Sequence, residues 1–301
     1  MLLILSMHDT FFRGLPWQRF QEFISPGADR FAILSELLNA SELDHSVIDL
    51  SGNRHFYIAS PPPEEEYLRR PPAMLVAHYD RAPGSPGAND NSAGVFLLLE
   101  TAVKLKKDGA KNWIIIFTDK EELREGESIQ DQGAYSLALS LKTLKVKNPR
   151  IFSFDACGAG DTLIISTTLE HLLKREGGGE KLQKSITELR QLALDTARNL
   201  GMTKVLLAPT PFSDDLGFFR AGLAAQTITM LPSEECIRFV SELRKNPGFA
   251  EALISAELRE KASVKYIPET WRSLNGPADS HLRLTPGNFR TVVRFAEALC
   301  K

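Results

Sequence analysis

The segment from residue 73 to residue 105 constrains the fold most, because it predicts a buried strand, a loop and an apolar helix in succession. The apolar run Ala73–Ala77 is strand-like and leads directly to His78. The loop that follows contains two Pro-Gly pairs, which neither a helix nor a strand easily accommodates. An apolar helix is predicted from Val95 to Leu105. Units of this kind build α/β sheets, in which ligands collect at the carboxyl ends of the strands.

Short apolar segments elsewhere predict the remaining strands. Ser51-Gly52-Asn53 separates the first two and indicates a hairpin at the sheet edge. Trp113–Phe117 is apolar throughout, which is typical of a strand buried on both faces. The strands predicted outside residues 73–105 are Val47–Leu50, His55–Ala59, Trp113–Phe117, Arg150–Phe154, Lys204–Leu207 and Ala224–Leu231.

Helical segments alternate with these strands and indicate a single α/β domain over residues 1–301. A charged helical segment at about residues 233–265 has the character of an insertion. Because no internal repeat or low-complexity linker divides the chain, we predict a mixed, mostly parallel central sheet with helices on both faces. The helices predicted outside residues 73–105 and 233–265 are Trp17–Phe23, Arg30–Leu38, Ser136–Leu141, Leu182–Leu200, Leu216–Arg220 and Asn288–Leu299.

Composition and charge exclude several classes of function. The net charge of −2 gives no indication of binding to nucleic acid or to an anionic membrane. The three cysteines lack the number and spacing of a disulfide framework or a metal site. No stretch approaches the ~20 apolar residues of a membrane span, and the apolar start of the chain is too short for a signal peptide. We therefore expect a soluble, cytoplasmic protein, whose oligomeric state the sequence does not predict.

Acidic residues and one histidine follow the predicted strands at positions that would meet at one edge of the sheet. Alone, His78 could be an ordinary loop histidine and Asp90 the N-cap of the next helix. Together, however, carboxylates packed this closely repel one another, so a cation is their natural companion. Imidazole with carboxylate oxygens suits zinc, and a bridging carboxylate can hold two ions. The residues concerned are His78, Asp80, Asp90, Glu121, Glu122 and Asp155.

Six segments in this order resemble the zinc aminopeptidase family of co-catalytic exopeptidases, whose relatives include the glutaminyl cyclases. They span about residues 70 to 300. The segments are AHYD (77–80), GANDNSAG (87–94), FTDKEE (117–122), FSFDACGAGD (152–161), SDDLGFFRAGLAA (213–225) and NGPADSHLRLTPGNF (275–289). The resemblance implies a zinc-exopeptidase-like three-layer sandwich, and it assigns a role to each residue of the predicted cluster.

In the roles that the resemblance implies, His78, Asp90 and Asp155 hold a first zinc ion. Asp90 also bridges to a second metal, which Glu122 holds in part. The remaining two roles belong to Glu121, as the general base, and to Asp80, which orients the imidazole of His78. The family also often has a cis peptide bond after the bridging aspartate, here between Asp90 and Asn91.

The chain departs from the family at two histidines. Where a histidine should hold the second metal, this sequence has Asn275, whose neutral carbonyl oxygen is a poor zinc ligand. His281 lies six residues further on and is the alternative ligand; a second site without function is a third possibility. In the segment that the family reads as Ser-Asp-His, Asp215 follows Asp214 in place of the histidine. Asp214 could support the pocket or act as a helix N-cap.

The resemblance implies a metal-dependent hydrolase of the metallopeptidase class, an exopeptidase that removes N-terminal residues. Metal-activated water would attack the scissile amide of a peptide or small amide substrate, with Glu121 as general base. We expect one tightly bound zinc, with a second zinc or a harder divalent metal at the second position. Two alternatives stay open: an impaired relative that binds metal or peptide without turnover, and a glutaminyl-cyclase-like acyltransferase.

Overall fold

The computed structural model describes residues 17–61, 71–146, 148–246, 248–254 and 266–301. The apolar start of the chain and residues 255–265 of the predicted insertion lie outside these ranges. In the described part of the predicted insertion, Ser233–Lys245 and Phe249–Leu253 are helical, in agreement with the sequence pattern. None of the described helices is both long enough and apolar enough to cross a membrane.

A single mixed sheet of eight strands forms the centre of the described structure. The strands lie in the order β1-β2-β4-β3-β5-β8-β6-β7. Their bounds are β1 Ser46–Leu50, β2 Asn53–Ser60, β3 Ala73–His78, β4 Trp113–Thr118, β5 Arg150–Phe154, β6 Thr162–Ser166, β7 Val205–Ala208 and β8 Ala225–Leu231. The parallel pairs are β3-β4, β3-β5, β5-β8 and β6-β7, whereas β1-β2, β2-β4 and β6-β8 are antiparallel.

Helices cover both faces of this sheet. They are α1 Trp17–Phe23, α2 Arg30–Ala40, α3 Gly94–Lys107, α4 Gly133–Thr143, α5 Thr168–Glu176, α6 Glu180–Asn199, α7 Asp214–Arg220, α8 Ser233–Lys245, α9 Phe249–Leu253, α10 Glu269–Arg272 and α11 Phe289–Cys300. α4 and α7 contact each other, while α11 contacts α3 and α6. The predicted mixed, mostly parallel sheet with helices on both faces is thus confirmed.

The two faces of β3 show why its sequence is apolar at every position. Leu75 and Ala77 belong to the larger apolar cluster, which includes residues of α3, α6 and α11. Met74 and Val76 belong to the smaller cluster, with residues of α4 and α7. Because alternate side chains of a strand point to opposite faces, a strand covered by helices on both sides has no solvent-facing position for a polar residue.

Strand β6 and the helix after it are absent from the sequence-based prediction. Thr162–Ser166 is short and apolar and follows a glycine-containing turn. The strand lies between β8 and β7, antiparallel to the first and parallel to the second. Its partners are more than thirty residues away in the chain, and its short apolar run, Leu163–Ile165, is a local signal that the sequence-based prediction does not use.

Candidate metal centre

The ends of three strands bring the predicted site residues together. His78 is the last residue of β3, Asp155 directly follows β5, and Glu121 and Glu122 lie shortly after β4. β3 is parallel to both β4 and β5 and lies between them, so the carboxyl ends of the three strands meet at one edge. Asp90 reaches the same edge from the loop before α3, and its peptide bond to the next residue is cis, as the resemblance implies.

His78, Asp90 and Asp155 form a compact cluster shielded from solvent. Nε2 of His78 lies 3.1 Å from Oδ1 of Asp90 and 3.7 Å from Oδ1 of Asp155. One ligand atom of each residue lies within 4.8 Å of the other two. The side chain of His78 is fully buried, and those of Asp90 and Asp155 are 8% and 14% exposed. These side chains are thus close enough to bind a common ion.

The cluster fits a divalent cation. Nε2 of His78 and Oδ1 of Asp155 are buried and lack well-aligned hydrogen-bond partners among the described residues, although buried polar atoms are normally paired. Burial, followed by the charge of Asp155, raises the pKa of Asp90, which reflects the repulsion between the two carboxylates. A zinc ion held by the imidazole nitrogen and the carboxylate oxygens would pair both atoms and balance the charge.

Asp80 connects the imidazole to the loop after β4. Its Oδ1 lies 3.2 Å from Nδ1 of His78. The same oxygen accepts a hydrogen bond from the backbone N–H of Glu121 at 3.1 Å, and Oδ2 accepts one from Glu122 at 3.0 Å. A carboxylate on the second ring nitrogen fixes the tautomer and orientation of a metal-binding histidine. Asp80 is therefore placed to orient the histidine and both glutamates.

Glu121 and Glu122 lie side by side, and their surroundings favour the protonated form of both carboxyl groups. Burial raises the pKa of Glu121 well above its ordinary value, and the neighbouring charge of Glu122 adds to the effect. Burial and the charge of Asp90 raise the pKa of Glu122 to about 9. Nε2 of Gln132 donates to Oε1 of Glu121 at 3.2 Å, so one oxygen of Glu121 is anchored by a neutral donor.

Asn275 lies at the predicted second metal position. With its amide nitrogen turned toward the two carboxylates, it donates to Oδ2 of Asp90 at 2.8 Å and to Oε1 of Glu122 at 2.6 Å. Both oxygens are thus paired without a cation. In this orientation the second position fits a zinc ion poorly, in contrast to the cluster around His78, and the assignment of Asn275 as a ligand stays a prediction.

His281 lies in a different environment. It begins a short 3₁₀ turn, His281–Arg283, and its ring packs edge-on against Trp17 with the ring centroids 5.7 Å apart. Asn275 lines the cavity at the metal centre, but His281 is not among the described residues that do so. Its assignment as a metal ligand is untested.

Asp214 and Asp215 are fully buried at the start of α7. Burial raises the pKa of each carboxyl group to about 7. Oγ1 of Thr118, the last residue of β4, donates to Oδ2 of Asp214 at 2.8 Å, and the backbone N–H of Ser213 donates to Oδ1 of Asp215 at 3.1 Å. Asp214 thus contacts the strand that leads to Glu121, which is a support for the site rather than an N-cap.

The model of peptidase family M28 matches residues 58–246, which is more than half of the chain. The chain belongs to peptidase family M28. The matched range begins in β2 and ends just after α8, so it includes His78, Asp90, both glutamates and Asp155. A comparison with curated protein sequences returned no match.

Several solved structures share the fold of this chain. A zinc aminopeptidase from Bacillus subtilis is 20% identical, with a TM-score of 0.53, over 82% of this chain and 48% of that chain. A Bacteroides thetaiotaomicron glutaminyl cyclase bound to N-acetylhistamine is 16% identical, with a TM-score of 0.63, over 97% of both chains. A Zn-dependent exopeptidase from Parabacteroides distasonis is 15% identical, with a TM-score of 0.62, over 98% of both chains.

At these identities the similarities establish a shared fold. They confirm the predicted zinc-exopeptidase-like architecture, with its sheet between layers of helices. The chain spans about half the length of the first aminopeptidases that it matches, whose covered shares are 48%, 49% and 47%.

Two residues of this M28 centre were not identified from the sequence. Asp279, 1% exposed, accepts backbone hydrogen bonds from Asn89 at 2.9 Å and from Asp90 at 3.0 Å. Gln132, described above, anchors Glu121. Asp279 comes from a segment 189 residues after Asp90 in the chain, and no sequence spacing relates the two. Only the motif that contains Asp279 was recognisable beforehand.

A cavity of about 730 Å³ opens from the metal centre. Its floor contains the carboxylates of Asp90, Glu121, Glu122 and Asp155. Its walls are largely apolar and come from the loop before α7 and from the region around α10. The large apolar side chains among them include Phe212, Leu216, Leu253, Ile267, Trp271 and Leu274.

Proposed function

We propose that the chain is a metal-dependent aminopeptidase that cleaves the first amide bond of peptides with an apolar N-terminal residue. The observation that carries the proposal is the buried His78–Asp90–Asp155 cluster. In it, Nε2 of His78 and Oδ1 of Asp155 lack well-aligned hydrogen-bond partners among the described residues. His78, Asp90 and Asp155 would hold a zinc ion. When bound there, the metal supplies a Lewis acid for the scissile carbonyl and for water.

Glu121 performs the proton transfers. Its carboxylate accepts a proton from the attacking water and delivers that proton to the leaving amine as the carbon–nitrogen bond breaks. Gln132 holds one carboxylate oxygen of Glu121, which leaves the other oxygen to carry the proton.

The cavity supports the proposed class of substrate. Four carboxylates line it against one arginine, Arg272, so a protonated α-amine is favoured and an acidic side chain disfavoured. Trp271 and the half-buried Phe212 lie in its walls, so a leucine or phenylalanine side chain would exchange water for apolar contact. Full burial of such a side chain is worth ~1.5–3 kcal/mol, which corresponds to roughly 10- to 100-fold in kcat/KM.

The experiment is an aminopeptidase assay on leucyl and aspartyl p-nitroanilides, with metal removed by chelation and then restored. We expect zinc-dependent hydrolysis of the leucyl substrate, slow hydrolysis of the aspartyl one, and none of N-acetyl-leucyl p-nitroanilide. Glu121→Gln should lower the rate by about 10²- to 10⁴-fold and leave bound zinc unchanged. Glu125→Gln, on an exposed residue of the same loop, is the matched control.

A second candidate is a relative that binds metal or peptide without turnover. The hydrogen bonds of the Asn275 amide to Asp90 and Glu122 favour it, because they occupy oxygens that a second ion would need. Zinc binding with no hydrolysis of any tested substrate would support this candidate. Pyroglutamate formation from a peptide with N-terminal glutamine would instead support a cyclase-like acyltransferase.

A further inference from the structure

Arg30, at the start of α2, is a buried arginine that contacts the metal-binding loop directly. It is 6% exposed, and each of its side-chain nitrogens has hydrogen-bond acceptors. Nε donates to the carbonyl oxygen of Phe23 at 3.2 Å. Nη1 donates to the carbonyl oxygens of Tyr79 at 3.1 Å and Asp80 at 2.9 Å. Nη2 donates to the carbonyl oxygens of Pro86 at 2.9 Å and Gly87 at 3.1 Å and to Oγ of Ser92 at 2.7 Å.

The hydrogen bonds of Arg30 connect two separate parts of the metal-binding loop. The acceptors of Nη1 lie directly after His78, and the acceptors of Nη2 lie on both sides of Asp90. One planar guanidinium group therefore joins the two ends of the segment that carries two of the three residues of the cluster. Because its N–H groups form a rigid fork, it fixes the distance between these ends.

The loop is shaped to receive this side chain. Gly87 has a φ of +61°, and a Cβ atom there would meet Nη2 of Arg30 at 2.7 Å and the carbonyl oxygen of Asp90 at 2.8 Å. Any larger residue would displace the guanidinium group or the loop. Oγ of Ser92 also donates to the carbonyl oxygen of Gly87 at 2.5 Å, which closes the loop on the far side of the arginine.

The charge of Arg30 is retained although it is buried. Burial, with the nearby charge of Arg81, lowers its pKa to about 9, so the group stays protonated at neutral pH. Within the described residues no carboxylate lies at salt-bridge distance from it. Its acceptors are mainly backbone carbonyl oxygens, which a buried cation needs because water cannot reach it.

We propose that Arg30 is a positioning residue for the metal centre, acting through the Tyr79–Ser92 loop to hold His78 and Asp90 at ion-binding distance. The inference rests on the metal centre of the proposed function. If it holds, loss of the guanidinium group changes metal affinity and ligand geometry and not only stability.

Arg81 provides the matched control. Its guanidinium group donates to the carbonyl oxygens of Ile24, Ser25 and Pro86. It therefore joins the start of the same loop to the turn between α1 and α2 and to Pro86, which Arg30 also contacts, but among the described residues it donates no hydrogen bond beyond Pro86. A purely structural link between the N-terminal helices and the loop would be weakened by loss of either arginine.

The test compares Co²⁺ binding by the variants Arg30→Met, Arg30→Lys, Arg30→Ala and Arg81→Met with that of the wild type. Visible absorption reports the ligand geometry, chelator competition gives the affinity, and thermal unfolding of the metal-free protein gives stability. Removing a group that holds a metal ligand in place, without binding the metal itself, typically lowers metal affinity ~10- to 100-fold. We expect Arg30→Met and Arg30→Lys to lose affinity in this range with an altered spectrum, because the lysine ammonium cannot span both ends of the loop.

Arg81→Met should lower stability and leave the Co²⁺ affinity and spectrum near wild-type values. Millimolar guanidinium, but not methylammonium, should restore affinity to Arg30→Ala. If Arg30→Met does not fold, Arg30→Lys, which keeps the charge, carries the comparison.

Several outcomes overturn the inference. The first is a Co²⁺ affinity and spectrum of Arg30→Lys or Arg30→Met that equal those of the wild type. The second is a loss of Co²⁺ affinity that is proportional to the loss of thermal stability in both the Arg30 and the Arg81 variants. Failure of guanidinium to rescue a folded Arg30→Ala would also contradict it. If the wild-type protein binds no Co²⁺, the proposed metal centre itself fails, which is a distinct result because it involves no variant.

Discussion

The two sides of Asp90 differ in how their polar atoms are satisfied. On one side, Asp90 Oδ1 faces His78 and Asp155, where two buried atoms lack well-aligned hydrogen-bond partners among the described residues. On the other side, Asp90 Oδ2 and Glu122 Oε1 accept hydrogen bonds from the amide of Asn275. A buried, unpaired polar atom is costly. The first side therefore suits an ion, whereas the second side, with the Asn275 amide nitrogen facing the two carboxylates, has its oxygens paired without one.

This difference shows how one substitution can alter a metal position without disturbing its surroundings. An imidazole presents a lone pair to a cation, but an amide nitrogen presents hydrogens to the carboxylates that the cation would bind. Asn275 has a φ of +60°, a conformation that asparagine tolerates better than most residues. The loop can thus keep its course while the chemistry of its side chain changes.

The largest expected effect on metal binding comes from the side of Asp90 that faces His78 and Asp155. Asp155→Asn removes a charged ligand from the cluster, and we expect zinc affinity to fall by more than about 100-fold. This loss exceeds the usual effect of removing a group that only hydrogen-bonds to a metal ligand. Peptidase activity should be lost with it. Asp108→Asn, on an exposed residue, is the control. Metal analysis after exhaustive dialysis should give close to one zinc per wild-type chain and close to none for the variant.

If the Asp155→Asn variant retained zinc at the wild-type level, the ion would bind elsewhere. Two zinc ions in the dialysed wild type would show that the two sides of Asp90 do not differ as described.

An intermediate effect is expected from Asn275→His, which removes the amide donor and adds an imidazole beside Asp90 and Glu122. We expect the affinity for a second zinc to rise by about 10- to 100-fold, and the peptidase rate to rise with it. Isothermal titration of the one-zinc protein measures the second site. Asn275→Ala removes the amide without adding a ligand and should not gain the second ion. Equal second-site affinity in the wild type and Asn275→His would contradict the contrast between the two sides.

The smallest effect is expected from His281→Ala. His281 packs against Trp17 and is not among the described cavity residues, so we expect changes of less than about twofold in zinc content and rate. Loss of this ring contact between two half-buried side chains should affect stability only slightly, since changes near the surface are usually within about 0.5 kcal/mol. Release of a metal ion from this variant would instead identify His281 as the missing ligand.

Much of the fold follows from local sequence patterns. The structure has strands at Ala73–His78, Trp113–Thr118 and Arg150–Phe154, within one residue of the predicted bounds, because continuous apolar runs between turn residues are readily recognised. β6 was missed, although Leu163–Ile165 is an apolar run of the same kind; its position between β8 and β7 depends on contacts that are distant in the chain. The helix predicted at Ser136–Leu141 in fact begins at Gly133.

The residues that form the candidate site were predictable from the sequence, but the residues that hold them in place were not. His78, Asp90, Glu121, Glu122 and Asp155 each follow a strand or precede a helix, which is a local signal. Arg30 and Asp279 have no such signal, because an arginine in a helix and an aspartate in a loop are usually exposed to solvent. Their roles depend on backbone groups that only folding brings to them.

The sequence by itself indicated most of the strands and helices in their order, the acidic residues at strand ends and, through the family resemblance, an asparagine, Asn275, where a histidine is expected. These features are properties of short segments, and hydrophobic periodicity and residue type are sufficient to reveal them. Only the tertiary structure decided that the Asn275 side chain lies at hydrogen-bond distance from Asp90 and Glu122, that His281 packs against Trp17, and that Arg30 joins both ends of the metal-binding loop. The physical reason is that hydrogen bonds require atoms within about 3 Å, and for residues far apart in the chain only the packing of the whole domain provides that proximity.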